Sequence, residues 1–337
     1  MLSTDSRFNH LLDWLRSELG LAIDRIEPAS ADASFRRYFR AFSEDASRIV
    51  MDAPPPQENV RPFVRVAGML RDAGVQTPEI QAVDAERGFV LLGDFGCRNY
   101  LDALTAESAH ALYADALAAL LSLQQGVDPR TADLPGYDEH LLGKELGIFR
   151  EWLLGHFLAL ELSQDEQRML DNTWRLLIDS ALEQPRVCVH RDYHSRNLMV
   201  TGQNNPGVLD FQDAVIGPIT YDAVSLLRDC YIAWPAEQVY AWMESYRDAL
   251  RQAGLIGAEG AARFRRWFDL MGMQRHLKAT GIFARLHIRD GKPGYLKDIP
   301  RTLGYVVDVG HRYPELIEFA QFLERRVLPR LAEASMS

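Results

Sequence analysis

The stretches "VHRDYHSRNLMV" at residues 189–200 and "GVLDFQDA" at residues 207–214 decide how this chain folds. Their oxygen-bearing side chains include Asp192, Asn197 and Asp210. Apolar runs on either side of the first polar loop predict two short strands, and "GQNNPG" predicts a turn before a third. Strands at both ends would hold the loop rigidly, so its polar side chains would project from fixed positions into one cleft.

This set of side chains suits the transfer of a phosphoryl group. Such a transfer needs a base beside the accepting hydroxyl and metal ions that bridge the phosphate oxygens. Magnesium prefers hard oxygen ligands, usually one or two carboxylates together with phosphates and waters. An aspartate, an asparagine five residues later and a second aspartate after a short hairpin supply that set. A single loop aspartate is more often a turn former, so the interpretation rests on the three residues together.

The composition excludes several classes of protein. The chain has 337 residues, 47% of them hydrophobic, which is enough for two lobes with a substantial core. A net charge of −10 argues against a general nucleic-acid binder, because no basic excess is available to neutralise phosphates. Three scattered cysteines indicate neither a disulfide framework nor a structural zinc site. The chain has no apolar leader and no apolar run of membrane-spanning length. We therefore expect a cytoplasmic protein without membrane contact, and a monomer.

Alternating patterns predict a small sheet in the first third of the chain. The segments "DRIEPAS", "SFRRYFRAF" and "ASRIVMDA" predict three strands, the last of which ends at the prolines 54–56. A single apolar face and the stop at Gly74 predict a helix over residues 58–73. The segment "PEIQAVDAERGFVLLGDFG" predicts a hairpin of two strands.

Helical periodicity predominates from residue 100 onward. The segment "TAESAHALYADALAALLSLQ" predicts a helix that opens with a capping box at residues 105–108. Further helices are predicted near residues 138–157, 164–183, 219–230, 235–253, 258–288 and 314–328, and β structure at residues 186–211. We therefore predict an α+β protein with a small β-sheet N-lobe, residues 1–93, and a larger, mainly helical C-lobe, residues 94–337. Their junction lies in the segment 91–96.

The motif "HRDYHSRN" followed by "VLDFQ" resembles the catalytic and metal-binding motifs of the aminoglycoside phosphotransferase family, whose members have a two-lobed protein-kinase-like fold. The spacing H-x-D-x-x-x-x-N is matched in full, and the resemblance extends over roughly residues 20–290. It implies ATP and Mg²⁺ as cofactors, with nucleotide binding in the N-lobe and catalysis and substrate binding in the C-lobe.

The resemblance also implies roles for individual residues. Asp192 would be the catalytic base that orients or deprotonates the substrate hydroxyl, while Asn197 and Asp210 would hold Mg²⁺. The backbone at Leu92 and Asp94 would meet the adenine edge. Two further residues would be structural, one in the loop and one as a cap of the following helix: His190 and Asp222.

One expected feature of kinase-like folds is missing. Such proteins place a lysine on the third strand, paired with a glutamate on the following helix. Here the lysine position holds Met51 or Asp52, residues 60–73 contain no glutamate, and Glu58 lies just before that helix. The glycine-rich phosphate loop is replaced by "SADASFRRYFR", whose small residues would still let backbone N–H groups approach phosphates.

Two explanations of the missing lysine stay open. In the first, an arginine near the second strand supplies the positive charge, because guanidinium groups pair well with phosphate. Three residues are candidates for this nucleotide-binding role: Arg36, Arg37 and Arg40. Arginines that flank aromatic residues on a strand are, however, also typical of a solvated face. In the second explanation the protein is an inactive relative that binds nucleotide without chemistry, although its intact catalytic set argues against this.

The wider pattern of "ADASFRRYFR", "VMDAPPPQENVRPFVRVAGML", "LLGDFG" and "VLDFQDAVIGPITYD" is similar to a group of bacterial sugar kinases. That group phosphorylates N-acetylmuramate and N-acetylglucosamine at the anomeric C1 hydroxyl in peptidoglycan (cell-wall) recycling, which implies an amino-sugar substrate. The carboxylate of muramate would require a cationic partner, and the late helices offer four candidates: Arg275, His276, Lys278 and Arg285. Arg275 and Lys278 share a helix face, but ordinary surface cations are the favoured interpretation of each.

Other substrates and site residues stay open as well. His194 would contact substrate or lie at the surface, and Asp213 would touch substrate, hold a second metal or do neither. An aminoglycoside or choline substrate would need an acidic or aromatic pocket. Three acidic residues keep that alternative open: Glu139, Glu145 and Glu151. A nucleotide-binding scaffold without catalysis is the alternative from another class of protein.

Overall fold

The chain divides into two units that are not continuous in sequence. The computed structural model describes residues 5–31, 35–44, 46–257 and 260–334. The first unit comprises Met1–Arg98 and Met199–Asp213, and the second comprises Asn99–Leu198 and Ala214–Ser337. The segment that carries Asp210 therefore packs with the N-terminal residues, although it lies far along the chain.

The first unit is built on a five-stranded antiparallel sheet. Its strands are β1 (Arg25–Ala31), β2 (Arg37–Ser43), β3 (Ala46–Asp52), β4 (Ile80–Asp84) and β5 (Phe89–Gly93). They lie in the spatial order β1-β2-β3-β5-β4. Its α-helices are α1 (Ser6–Asp13), which a π-helical segment (Trp14–Glu18) continues, and α2 (Val60–Asp72). The three strands, the helix and the hairpin predicted for this part of the chain are confirmed.

Local sequence explains these elements. Alternation along the strands buries Phe39 and Val50 on one face of the sheet, where they form a core with Phe8 of α1. α2 begins after Asn59, whose side-chain oxygen accepts a hydrogen bond from the first turn of the helix at 3.0 Å. It ends before Gly74, whose φ of 81° lies in the left-handed region that glycine adopts without strain.

The second unit is mainly helical. Its helices are α3 (Tyr100–Ala103), α4 (Ala109–Gly126), α5 (Glu139–Ile148), α6 (Gln164–Leu182), α7 (Tyr221–Leu227), α8 (Ala236–Gln252), α9 (Ala261–Asp290), α10 (Ile299–Gly310), α11 (Ile317–Phe322) and α12 (Leu328–Ala334). A π-helical segment, Phe149–Phe157, continues α5. The long helix α9 runs through the core and buries Leu270, Met273 and Leu277. None of the helices in the described ranges is long and apolar enough to cross a membrane.

Four short strands frame the polar loop of the sequence motif. They are β6 (Arg186–Val189), β7 (Leu198–Met199), β8 (Gly207–Val208) and β9 (Val215–Pro218). β6 pairs antiparallel with β9, and β7 pairs with β8. The loop therefore has strands at both ends, as the sequence predicts.

Two local predictions are wrong, and one helix is missing from the predicted set. The β region does not end at residue 211, because β9 follows it; the Gly-Pro pair inside β9 is typical of a turn in isolation. The helix α10 was not predicted, since its glycines and β-branched valines are weak helix formers. The Ser108 hydroxyl accepts a hydrogen bond from the Thr105 N–H at 2.8 Å, and the Thr105 hydroxyl accepts one from the Ser108 N–H at 3.2 Å. They close a turn before α4, however, and the helix begins at Ala109 without a side-chain cap.

Candidate active site

The loop between β6 and β7 is anchored by two buried carboxylates. Asp222, in the first turn of α7, accepts hydrogen bonds from the backbone N–H groups of His190 at 2.6 Å and Arg191 at 3.0 Å. Asp229, just after α7, accepts hydrogen bonds from the N–H of Ser195 at 2.9 Å and from its hydroxyl at 2.5 Å. Both aspartates are at most 1% exposed. These anchors hold the loop at its start and near its end.

Asp222 is structural, as the resemblance implies, but it does not cap the helix. Thr220 occupies the N-cap position of α7, and the Asp222 carboxylate points to the loop. Burial raises the pKa of Asp222 to about 7, against the opposing effect of its backbone hydrogen bonds. Sequence analysis missed Asp229, since nothing local distinguishes it from an ordinary polar residue at a helix end. Arg191 has a φ of 77°, a left-handed conformation that a non-glycine residue keeps only under such constraint.

Asp192 lies half-buried in the anchored loop. Burial raises the pKa of its carboxyl, but nearby positive charge, above all that of Lys278 and also that of Arg275, outweighs burial and holds the pKa below its ordinary value. Asp192 is therefore ionised at neutral pH and able to accept a proton. The Nδ2 atom of Asn197 donates a hydrogen bond to the Asp192 carbonyl oxygen at 3.0 Å. The amide nitrogen thus faces the loop backbone and the amide oxygen faces the other way.

A buried charged cluster lies beside the loop. The carboxylate of Glu145 is 2.6 Å from the Arg191 guanidinium and 2.8 Å from the Lys278 ammonium. Tyr137 and Gln274 donate hydrogen bonds to the same carboxylate. Glu145 is 3% exposed and Lys278 is 9% exposed. The interpretation of Lys278 as an ordinary surface cation is therefore wrong, because α9 is buried along most of its length.

The other cations of α9 have different surroundings. Arg275 is buried, so the surface interpretation is wrong for this residue too; its guanidinium donates to Cys230 Sγ at 3.6 Å. His276 is also buried, stacks on Tyr305 with ring centroids 4.9 Å apart, and meets a backbone carbonyl at 2.8 Å. These contacts make His276 a packing residue. Arg285 is half-buried, and its pKa is lowered by burial.

His194 is a half-buried residue of the loop. Its ring meets that of Tyr231 edge-on, with centroids 5.4 Å apart. Burial lowers its pKa, so the imidazole is neutral at neutral pH. Its Nδ1 atom is buried and has no hydrogen-bond partner among the described residues. A simple surface position is therefore excluded for His194.

In the first unit, Asp210 follows β8 and also has a left-handed backbone, with a φ of 61°. The amide of Gln212 donates to Asp210 Oδ1 at 2.8 Å and to Asp213 Oδ2 at 3.3 Å. Gln212 thereby draws the two carboxylates together, a role that sequence analysis did not predict. The position of Gln212 between the two aspartates in the sequence is the feature that could have indicated this role. The Asp210 side chain is 38% exposed, so its oxygens are accessible to a cation.

Two of the three candidate arginines form close structural ion pairs. Arg37 donates to the buried Asp52 at 2.9 and 2.5 Å and also pairs with Asp5. Arg40 donates to both oxygens of Asp94, at 2.6 and 3.1 Å. Asp52, one of the two residues at the lysine position of the third strand, therefore serves as a buried partner for arginine. These contacts engage most of the donors of both guanidinium groups.

Arg36 lies in a different environment. Its guanidinium lies 3.8 Å from the Glu58 carboxylate and 3.9 Å from that of Asp210. Together with Met51 and Asp213, both Arg36 and Glu58 line a cavity of about 320 Å³ in the first unit. The strand position that faces this cavity is therefore apolar Met51, while Arg36 and Glu58 bring a cation and a carboxylate to it. Residues 32–34, part of the segment whose backbone N–H groups were expected to approach phosphate, lie outside the described residues.

The segment predicted to meet adenine lies at the end of β5 and just after it. Leu92 lies in β5, in register with Ile49 of β3 and Ile80 of β4. Asp94 follows β5, and its carboxylate accepts a hydrogen bond from the backbone N–H of Gly96 at 2.8 Å. The Asp94 side chain is thus committed to local structure, and the adenine contact of the backbone stays a prediction.

Comparisons with known proteins find a matching family and similar proteins for this chain. Residues 25–256 match the phosphotransferase enzyme family. The N-acetylmuramate/N-acetylglucosamine kinase of Pseudomonas aeruginosa is 48% identical over 343 residues, which cover 99% of this chain and 100% of that protein. The protein of the same name from Pseudomonas putida is 47% identical over 330 residues, which cover 95% of this chain and 96% of that one. A solved spectinomycin phosphotransferase, in complex with ADP and spectinomycin, has a TM-score of 0.62 at 14% identity, over 94% of this chain and 98% of its own.

The predicted fold class is confirmed: this is an α+β protein with a protein-kinase-like fold, in which an N-terminal antiparallel sheet is followed by a mostly helical remainder. Fold and motif together define an enzyme of the phosphotransferase class. The chain belongs to the phosphotransferase enzyme family, as the motif resemblance predicts.

Proposed function

We propose that this chain is an ATP-dependent kinase that phosphorylates the anomeric C1 hydroxyl of N-acetylmuramate and N-acetylglucosamine. The observation that carries the proposal is the identity of 47–48%, over nearly the whole chain, to two proteins named N-acetylmuramate/N-acetylglucosamine kinase. The products would be sugar 1-phosphates, formed by a cytoplasmic monomer in peptidoglycan recycling. Residues 1–93 would bind the nucleotide, and residues 94–337 would supply catalysis and substrate binding.

Asp192 is the proposed catalytic base. Its carboxylate, ionised at neutral pH, would accept the hydrogen bond and then the proton of the C1 hydroxyl, which orients the attacking oxygen. An anomeric hydroxyl is more acidic than an ordinary alcohol, so a carboxylate is an adequate base. The anchors Asp222 and Asp229 would keep this carboxylate in position, and a displacement of about 1 Å is expected to cost on the order of 100-fold in rate. ATP, when bound, supplies the phosphoryl group.

The proposed magnesium ligands are Asn197 and Asp210, with Asp213 a candidate for a second ion or for substrate. An amide oxygen and a carboxylate are hard oxygen donors, which Mg²⁺ prefers. The Asn197 amide is held by its nitrogen, and the Asp210 carboxylate is accessible, so both side chains suit this use. The ion would neutralise negative charge on the phosphates. The adenine edge would meet the backbone at Leu92 and Asp94.

Arg36 is the proposed substitute for the missing strand lysine. It lines the cavity with Met51, one of the two residues at the strand position where kinases carry lysine, and it lies 3.8 Å from Glu58. A cation and a carboxylate at this place would reproduce the lysine–glutamate pair of kinases with residues from other positions. Arg37 and Arg40, also predicted for the nucleotide, form close ion pairs with Asp52 and Asp94.

An aminoglycoside or choline substrate is the alternative. A cationic substrate would require carboxylates that are not already neutralised. Of the three acidic residues that kept this alternative open, Glu145 is buried between Arg191 and Lys278. Glu139 and Glu151 are exposed. This distribution of charge favours an N-acetyl sugar over a cationic acceptor.

The proposal is tested by ³¹P NMR of the product formed from Mg-ATP and a panel of acceptors. The panel contains N-acetylmuramate, N-acetylglucosamine, glucose, an aminoglycoside and choline. A phosphate doublet coupled to an anomeric proton is expected with the two N-acetyl sugars. Asp192→Asn should abolish this product while ATP binding is retained. A phosphorylated aminoglycoside or choline would replace the sugar assignment, and tight ATP binding without any product would favour a scaffold.

A further inference from the structure

Positive charge that is not paired with carboxylates gathers on one side of the catalytic loop, within the second unit. Arg275 is 6% exposed, yet its described partner is the Cys230 thiol, with Nη1 3.6 Å from Sγ. Its Nε atom is buried and has no hydrogen-bond partner among the described residues. A buried guanidinium normally has a carboxylate or a full set of acceptors, supplied by protein, water or ligand. The surroundings of Arg275 therefore point to a missing anionic partner.

Arg196, in the loop itself, is a second cation of this kind. Its guanidinium carbon lies 3.6 Å from the ring centroid of Tyr231 and 5.7 Å from that of Tyr295. Its described contacts are thus with aromatic rings rather than with a carboxylate. Stacking of this kind fixes the plane of the guanidinium and leaves the N–H donors at its edge for an anion.

His194 and Tyr231 connect the two arginines. Tyr231 follows Cys230 in the chain, and its ring contacts both Arg196 and the His194 imidazole. The Nδ1 atom of His194 is buried without a described partner. Burial lowers the pKa of His194; Asp229 and Asp192 oppose this effect, and the charges of Arg275 and Arg196 add to it. Both arginines therefore lie within electrostatic reach of one imidazole.

The nearby carboxylates already have other partners. Asp229 accepts hydrogen bonds from the loop, and Asp298 pairs with Arg301 at 3.0 Å. Asp192 is the proposed base for the acceptor hydroxyl. Arg196 and Arg275 thus have no ion pair with these carboxylates among the described residues, although the charges of Asp229 and Asp192 reach Arg275.

We infer that Arg275 and Arg196, together with His194, form a carboxylate-binding subsite for the acceptor sugar. The inference rests on the proposed function and deepens it. N-acetylmuramate carries a lactyl carboxylate that N-acetylglucosamine lacks, and this group would accept charge-assisted hydrogen bonds from the two guanidinium groups. Because the carboxylate takes no part in phosphoryl transfer, the subsite acts on acceptor binding and hence mainly on the KM of the acidic sugar.

The test compares acceptors with and without the lactyl carboxylate, at saturating Mg-ATP and with the full chain. The acceptors are N-acetylmuramate, its lactamide, in which a neutral carboxamide replaces the carboxylate, and N-acetylglucosamine. In the wild type, kcat/KM for the acid should exceed that for the amide by about 10- to 100-fold, the range expected for hydrogen bonds to a charged group. In Arg196→Gln and in Arg275→Gln this ratio should fall towards one, through a rise in KM for the acid. Arg275→Lys, which keeps the charge, should restore part of the ratio.

Arg289→Gln is the matched control, because Arg289 is an exposed cation at the end of the same helix, paired with Asp290, and should retain the wild-type ratio. The ratio is measured within one protein sample, so partial loss of folded protein cancels. Arg196→Gln removes a half-buried side chain and keeps the test available if Arg275→Gln does not fold. Equal use of acid and amide by the wild type would overturn the subsite, as would an unchanged ratio in both glutamine variants. A wild type that phosphorylates none of the three acceptors would overturn the proposed function, and the subsite with it.

Discussion

Replacement of Arg36 by methionine is the sharpest test of how this protein binds ATP without a strand lysine. Methionine keeps the length and apolar stem of the side chain and removes its charge and donors. The Arg36 side chain is 12% exposed, so solvent screens its charge only weakly. A charge-assisted hydrogen bond to phosphate contributes about 1.5–3 kcal/mol, which corresponds to about a 10- to 150-fold loss in kcat/KM for Mg-ATP.

Arg36 lies 3.8 Å from the Glu58 carboxylate and 3.9 Å from that of Asp210, so loss of its charge also alters these contacts, and stability is measured beside the kinetics. Glu58→Gln should also lower kcat/KM for Mg-ATP, but by a smaller factor. It removes the carboxylate partner of Arg36 and keeps the guanidinium that would donate to phosphate. Arg36→Lys should recover part of the activity, because it restores the charge without the planar fork.

The assay is steady-state kinetics with varied Mg-ATP at saturating sugar, accompanied by urea denaturation of each variant. Arg25→Met is the matched control, because Arg25 lies in β1, is 61% exposed and pairs with Glu27. It should leave both the kinetics and the stability at wild-type values. The reasoning is refuted if Arg36→Met keeps kcat/KM for Mg-ATP within twofold of wild type. It is also refuted if Arg37→Met or Arg40→Met remains folded and shows the loss instead.

Three further predictions follow from the contacts of buried and site residues. Asp210→Ala should weaken Mg-ATP binding and activity together and shift the magnesium dependence to higher concentration, whereas an identical magnesium titration in wild type and variant would exclude a ligand role. Glu145→Gln leaves the cations of Arg191 and Lys278 without their carboxylate, so urea denaturation should show a loss of about 3–5 kcal/mol, and a loss below about 1 kcal/mol would contradict the pairing. The pKa of Asp222 is about 7 in the folded chain, above its ordinary value of 3.8, so the folded state favours the protonated form and its stability falls as pH rises from about 4 to about 7. The wild type should therefore lose about 3 kcal/mol relative to Asp222→Asn between pH 5 and pH 8, and parallel pH curves of unfolding free energy would show that Asp222 is not the titrating group.

Much of the fold was predictable because its determinants are local. Alternating residues and turn residues predict the sheet of the first unit, and helical periodicity predicts most helices of the second. The errors occur where local preference and tertiary context disagree. β9 contains Gly-Pro and forms because β6 supplies its hydrogen-bonding partner, and α10 forms because its apolar face is buried in the core.

The sequence by itself determined the loop motif, its flanking strands and the family, because these depend on residue types at short, fixed spacing. The tertiary structure decided which charges meet. Arg37 pairs with Asp5 and Asp52, Arg40 pairs with Asp94, and Arg36 reaches Glu58, all across separations that no local pattern encodes. Likewise, Arg275 and Lys278 resemble surface cations in sequence, and they are buried because α9 is surrounded by other elements along most of its length. Spacing along the chain specifies side chains on one element, while contact between elements depends on how the whole chain packs.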